Sequence, residues 1–140
     1  MATKAPINMI GLDHLVIRCA DAEAMVHFYS DLVGCTLVRH NKKFDLYHLR
    51  AGDQLIDLIA VDGVLGQRGG AAPGAEGRNI DHFAIRIETF DEDALHAWIV
   101  ENGLEIVEEG PRYGADGTGP SVYIRDPEGN IVEFKGPSTD

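Results

Sequence analysis

Cysteine is scarce in this chain: Cys19 and Cys35 are the only two. They are too few and too widely spaced for a zinc ribbon or a disulfide framework, and are expected as reduced, half-buried thiols. Positive charge is also short, with 12 Lys and Arg against 23 Asp and Glu and a net charge of −11. Such a chain repels nucleic-acid phosphates and anionic membranes, so neither is an expected partner. No apolar run approaches the roughly 20 residues that a membrane span requires. The segment Met1 to Gly11 lacks the apolar stretch and cleavage site of a secretory leader, so the expected compartment is the cytoplasm. What remains is ordinary globular material: 140 residues, 44% hydrophobic and 25% charged. That suits one domain, or two half-size units sharing one core.

The chain contains itself twice. Asp13-His14-Leu15-Val16-Ile17-Arg18 returns as Asp81-His82-Phe83-Ala84-Ile85-Arg86. Each copy continues into a helix: Asp21 is a good N-cap before Met25, Phe28, Tyr29 and Leu32, and Asp91 before Leu95, Trp98 and Ile99. Gly34 and Gly103 fit the position just past each helix end. Three strand-like runs follow each helix, at Cys35 to Arg39, Phe44 to Arg50 and Gln54 to Ala60, then at Leu104 to Glu108, Ser121 to Arg125 and Asn130 to Lys135. The turns Ala51-Gly52-Asp53 and Asp126-Pro127-Glu128-Gly129 have hairpin chemistry.

Each copy therefore reads β-α-β-β-β, a sheet with one face under a helix and the other open. The predicted fold is α+β: two tandem βαβββ modules forming a curved mixed-sheet cup around a metal site. The boundaries are a tail at 1–9, a first module at 10–61, a glycine-rich linker at 62–79, a second module at 80–136 and a tail at 137–140. The linker either crosses the surface or lets modules pair between two chains. The glycine-rich stretch Gly110 to Pro120 is expected as a loop, either closing the cup or hanging free.

Alternate residues of a strand share a face. The repeat places His14 and His82 in equivalent positions, and likewise Asp57, in Gln54-Leu55-Ile56-Asp57-Leu58, and Glu133, in Asn130-Ile131-Val132-Glu133-Phe134. Both acids sit within apolar runs, where a carboxylate is costly unless partnered. A single strand histidine is usually a surface or core residue. Two histidines and two acids at matching places in both copies point instead to a divalent ion, with Zn²⁺, Ni²⁺, Mn²⁺, Co²⁺ or Fe²⁺ all compatible.

Matching Asp45 and Tyr47 to Ser121 and Tyr123 makes Tyr47, Ser121 and Tyr123 candidate substrate contacts, with Tyr123 a hydrogen-bond donor. Arg18 and Arg86 share the histidines' face roughly 13 Å along the strand, and are candidates for a distal anionic group of a substrate. His27, His40, His48 and His96 find no partner in the repeat and are read as ordinary.

Three pieces carry a family resemblance: Leu12-Asp13-His14-Leu15-Val16-Ile17, Phe28-Tyr29 before Leu32-Val33-Gly34, and Asp126-Pro127-Glu128-Gly129-Asn130-Ile131-Val132-Glu133. From Ile10 to Gly136 the chain resembles the vicinal-oxygen-chelate superfamily, which includes glyoxalase I, extradiol dioxygenases, fosfomycin-resistance and bleomycin-binding proteins. The resemblance implies metal ligands at His14, Asp57, His82 and Glu133, and a homodimer. Where glyoxalase I carries Glu, Asp57 is one methylene shorter. Without it, His14, His82 and Glu133 form a two-His-one-carboxylate triad. The chain departs from fosfomycin-resistance proteins in ending Pro137-Ser138-Thr139-Asp140, without their basic residue.

The implied activity is that of a metal-dependent isomerase or lyase acting on a small molecule with vicinal oxygens. Glu133 is the expected base because its longer arm can leave the metal, and Asp57 is a ligand or partner base. The alternatives are an Fe(II) extradiol-type dioxygenase and a non-catalytic small-molecule binding protein.

Overall fold

The computed structural model describes residues 3–140. The first module is β1 (His14–Cys19), α1 (Ala22–Val26), a π-helical turn (His27–Leu32), β2 (Thr36–Asn41), β3 (Leu46–Ala51) and β4 (Gln54–Ala60). The second is β5 (Phe83–Arg86), α2 (Glu92–Glu101), β6 (Ile106–Gly114), β7 (Gly117–Arg125) and β8 (Ile131–Lys135). The sheets are ordered β1-β4-β3-β2 and β5-β8-β7-β6. β1 and β5 run parallel to β4 and β8, and the other pairs are antiparallel. This is the α+β, two-module architecture expected from the repeat.

The helix starts form as their caps dictate. Asp21 accepts from the Ala24 amide and Asp91 from the Ala94 amide, each at 3.0 Å, satisfying one of the amides left free at a helix start. Gly34 (φ 100°) and Gly103 (φ 65°) leave the helices in the left-handed region, where a side chain would be strained. The first helix differs from a plain α-helix, widening into a π turn that buries Phe28 and Tyr29.

Strand alternation sorts the side chains. Ile17, Cys19, Leu49, Ile56 and Leu58 of one sheet, and Val122, Ile124, Val132 and Phe134 of the other, join Met25, Phe28, Tyr29 and Ile99 in one buried cluster on the helix side. The opposite faces carry Asp57 in one sheet and Glu133 in the other. The edge strands β2 and β6 carry matching register shifts, between Leu37 and Arg39 and between Ile106 and Glu108, each adding local twist.

The Asp126-Pro127-Glu128-Gly129 turn clasps the modules together. Asp126 Oδ1 accepts from the Glu128 and Asn130 amides at 2.9 Å. Its Oδ2 accepts from Tyr29 Oη at 2.7 Å and Asn130 Nδ2 at 2.9 Å. The Glu128 carboxylate accepts from the Ala20 and Asp21 amides, both at 2.7 Å, just ahead of α1.

One expectation changes. Residues 110–120 are not a loop: β6 and β7 continue as a hairpin paired to Gly114 and Gly117. The glycines there serve a strand that curls closely over its neighbours, since a Cβ on Gly114 would strike the Lys135 side chain. The linker is partly ordered. It makes a 3-10 turn (Gly66–Gly69), and Gly66 packs so closely on the Ala60 carbonyl that no Cβ fits.

Candidate metal centre

Asp13 holds the ring of His14, and Asp81 holds that of His82. In each, Nδ1 lies 2.6 Å from the preceding residue's carboxylate. A carboxylate only accepts, so Nδ1 carries the proton and Nε2 is left for a ligand. This is the carboxylate–histidine arrangement that orients metal-binding imidazoles. His14 Nε2 faces Asp57 Oδ2 at 3.9 Å, and His82 Nε2 faces Glu133 Oε1 at 3.2 Å. The hydrogen bond to Asp13 raises the pKa of His14 above 6.5, aided by the Asp57 charge and opposed by burial.

The acids are gripped from behind. Asp57 and Glu133 are only 2% and 4% exposed. Ser121 Oγ donates to Glu133 Oε2 at 2.5 Å, and Tyr123 stands directly across from Glu133 in the β7–β8 register. Burial, with the neighbouring Glu133 carboxylate, pushes the Tyr123 hydroxyl up to about 12, so it stays a donor at neutral pH. Its ring meets His82 edge-on, with centroids 5.4 Å apart.

In the first module the gripping residue is His48, whose Nδ1 lies 2.9 Å from Asp57 Oδ1. His48 pairs with Asp57 across β3 and β4 as Tyr123 pairs with Glu133 across β7 and β8. The match of Tyr47 to Tyr123 is therefore corrected. Tyr47 pairs with Leu58, packs against the helix-side core and stacks on His40 at 4.0 Å. The β3–β4 hairpin closes across Ala51 and Gln54, leaving two residues in the turn, whereas β7–β8 closes across Arg125 and Ile131, leaving five. The odd difference reverses the face. Counting turn residues is the signal that would have found His48.

The arginines are committed elsewhere. Arg18 donates to the carbonyls of Gly66 (2.9 Å), Gly70 (2.6 Å) and Ala71 (3.2 Å), so it ties the linker down rather than facing a substrate. Arg86 is exposed and pairs through Nε with Asp116 at 3.2 Å.

Each module thus presents one imidazole–carboxylate pair, His14 with Asp57 and His82 with Glu133. The donor set suits a divalent ion. Among the described residues, the one group of three donors within 4.8 Å of one another lies elsewhere, at Glu92, His96 and Glu109. There the His96–Glu109 pair, at 2.6 Å, is partly exposed, unlike the buried acids of the cup.

Two equivalent half-cups, each ending in an oriented imidazole beside a buried acid, define the vicinal-oxygen-chelate fold. The chain belongs to the Glyoxalase/Bleomycin resistance protein/Dioxygenase superfamily, which matches residues 11–134. It is 31% identical to virulence protein STM3117 of Salmonella typhimurium over 88% of this chain and 81% of that protein. The crystal structure of STM3117 superposes with a TM-score of 0.71 over 94% of this chain and 100% of that one. A probable lactoylglutathione lyase of Vibrio cholerae is 27% identical over 86% of each chain. A mutant of a fosfomycin resistance protein of Listeria monocytogenes, solved with Mn(II) and dihydroxypropylphosphonic acid, shares the fold at 17% identity, with a TM-score of 0.69 over 94% of each chain.

Proposed function

We propose that this chain is a metal-dependent enzyme of the glyoxalase type, performing isomerase or lyase chemistry by proton transfer on a small molecule whose vicinal oxygens chelate the ion. The observation that carries the reading is the repeated trio of Asp13, His14 and Asp57 with Asp81, His82 and Glu133: an oriented imidazole facing a buried acid, twice. A divalent ion held by His14, His82, Glu133 and Asp57 would act as a Lewis acid toward a substrate carbonyl. Glu133 is the proposed base, moving a proton to and from the substrate carbon. Ser121 holds its second oxygen, and Tyr123 donates a hydrogen bond to a substrate oxygen. Asp57 is the proposed fourth ligand or partner base.

The site is proposed to be completed in a homodimer. The cup faces of the edge strands β1 and β5 are open, and Ile10, Leu12 and Val16 are exposed beside His14. A second copy would cover this apolar surface and bring the two pairs around one ion.

The dioxygenase reading rests on one observation, that His48 holds one oxygen of Asp57. With Asp57 withheld, the triad of His14, His82 and Glu133 would remain.

Elemental analysis of purified protein beside Asp57→Ala tests the proposal. The expected result is one bound divalent ion per site in wild type and weaker retention in the variant. Wild type that carries no ion and gains no activity from any added ion would end both enzymatic readings. Fe(II)-specific oxygen uptake would favour the dioxygenase.

A further inference from the structure

We infer that Lys135 forms an anion subsite in the cup, so that the ligand carries a carboxylate or a phosphoryl-type group close to its chelating oxygens. Lys135 is the one buried cation among the described residues, at 8% exposed. Lysine is almost never buried to this degree without a partner. Yet no carboxylate oxygen of the described residues lies within 4.0 Å of its ammonium, and none of their acceptors hydrogen-bonds to it.

Three acids on this side of the sheet, Glu133, Asp116 and Glu108, are engaged. Glu133, two residues earlier on the same face, gives one oxygen to His82 and the other to Ser121. Asp116, at the hairpin tip, is taken by Arg86. Arg112, also on this side of the sheet, is held by Glu108 at 3.2 Å and lies over the Tyr123 ring. Among the described residues no fully buried side-chain nitrogen lacks a hydrogen-bond partner, so the unpartnered Nζ reaches solvent at the end of a buried stem.

The surroundings are shaped for that stem. Lys135 pairs with Ser121 across β7 and β8, which puts it on the face of Glu133. It packs against Gly114, where a Cβ would occupy its place. An ammonium held this way, with no internal anion, favours an anion from outside. Residues two apart on a strand are about 7 Å apart. The anionic group and the oxygens at the metal therefore belong to one short molecule. The placement of the anion beside the ion rests on the metal reading above, whereas the affinity of Lys135 for an anion does not.

The test uses three hydroxamates, all able to chelate an ion through vicinal oxygens. Acetohydroxamate has no anionic arm, malonic monohydroxamate has a carboxylate arm, and phosphonoacetohydroxamate has a phosphonate arm. Titrated calorimetrically into Mn(II)-loaded protein, at least one anionic probe is expected to bind roughly tenfold more tightly than acetohydroxamate. Which arm gains identifies the anion. The preference should vanish in Lys135→Met, which keeps the stem, and persist in Lys135→Arg, which keeps the charge.

A second arm needs no metal. Inorganic phosphate or acetate titrated into metal-free protein should shift the amide resonances of Gly114, Ser121 and Lys135 in wild type, and not in a Lys135→Met variant whose spectrum is otherwise native. No preference among the hydroxamates together with no shift in the metal-free titration overturns the inference, as does a preference that survives Lys135→Met. Shifts in metal-free protein, with acetohydroxamate binding independent of metal, would keep the subsite and sink the metal reading.

Discussion

His48 and Tyr123 occupy the same position in the two modules, each directly across from an acid. They differ in what they leave free. Ser121 bonds Glu133 beside Tyr123, while His48 itself bonds Asp57 and leaves Oδ2 toward His14. Replacing His48 with Ala frees Asp57 to rotate. The expected loss is about 10- to 100-fold in metal affinity, the usual cost of removing a residue that orients a ligand, measured by competition with a chromogenic chelator. Asp81→Asn should act similarly through His82, because an amide no longer fixes Nδ1–H as donor. An unchanged affinity in both variants would mean that the pairs do not hold the ion. Arg18 gives the opposite kind of prediction. Its bonds run to linker carbonyls, so Arg18→Ala should lower stability by about 1–2 kcal/mol in urea denaturation and leave ligand affinity alone.

At the scale of elements, much of the secondary structure was readable. Both helix caps, both terminal glycines and at least part of every strand follow from local chemistry that a window of a few residues contains. The far end of the β6–β7 hairpin was not readable, because Gly110, Gly114, Gly117 and Gly119 read as loop by composition. In the fold they allow close approach: Gly114 to the Lys135 stem and Gly119 to the Pro137 carbonyl. The linker shows the same effect at Gly66. Gly66→Ala would drive a methyl into the Ala60 carbonyl. The expected cost is about 1–3 kcal/mol, read as a lower urea midpoint with an unchanged slope; no change would mean that the turn shifts freely.

At the scale of the whole molecule, the two modules depend on the clasp at Asp126. Tyr29→Phe removes one buried donor to a carboxylate and should cost about 1–3 kcal/mol without altering metal content. The clasp also has a pH signature. Burial raises the pKa of Asp126 above 3.8, with the bonds from Tyr29 and Asn130 opposing the shift. Between 3.8 and the raised value, the folded state binds more protons at this group than the unfolded state, so its contribution to stability falls as pH rises through that window. Urea midpoints across that range should therefore differ in slope between wild type and Asp126→Asn, with wild type losing more stability toward higher pH. Parallel slopes would show that Asp126 is ionised throughout.

Much of the site was legible in one dimension because duplication writes it twice. His14 with His82, and Asp57 with Glu133, are matching residues in matching strands, and the two-residue period of a strand assigns each to a face without knowledge of the fold. The sequence by itself therefore determined the two-module architecture and the four candidate ligands. The tertiary structure decided which neighbours serve them. The choice of His48 over Tyr47 depends on the lengths of two hairpin turns, the loss of Arg18 to the linker on where a glycine-rich chain settles, and the unpaired state of Lys135 on which acids other groups have already taken. Local patterns encode the direction of a side chain, but its partners come from distant segments that meet only when the chain folds.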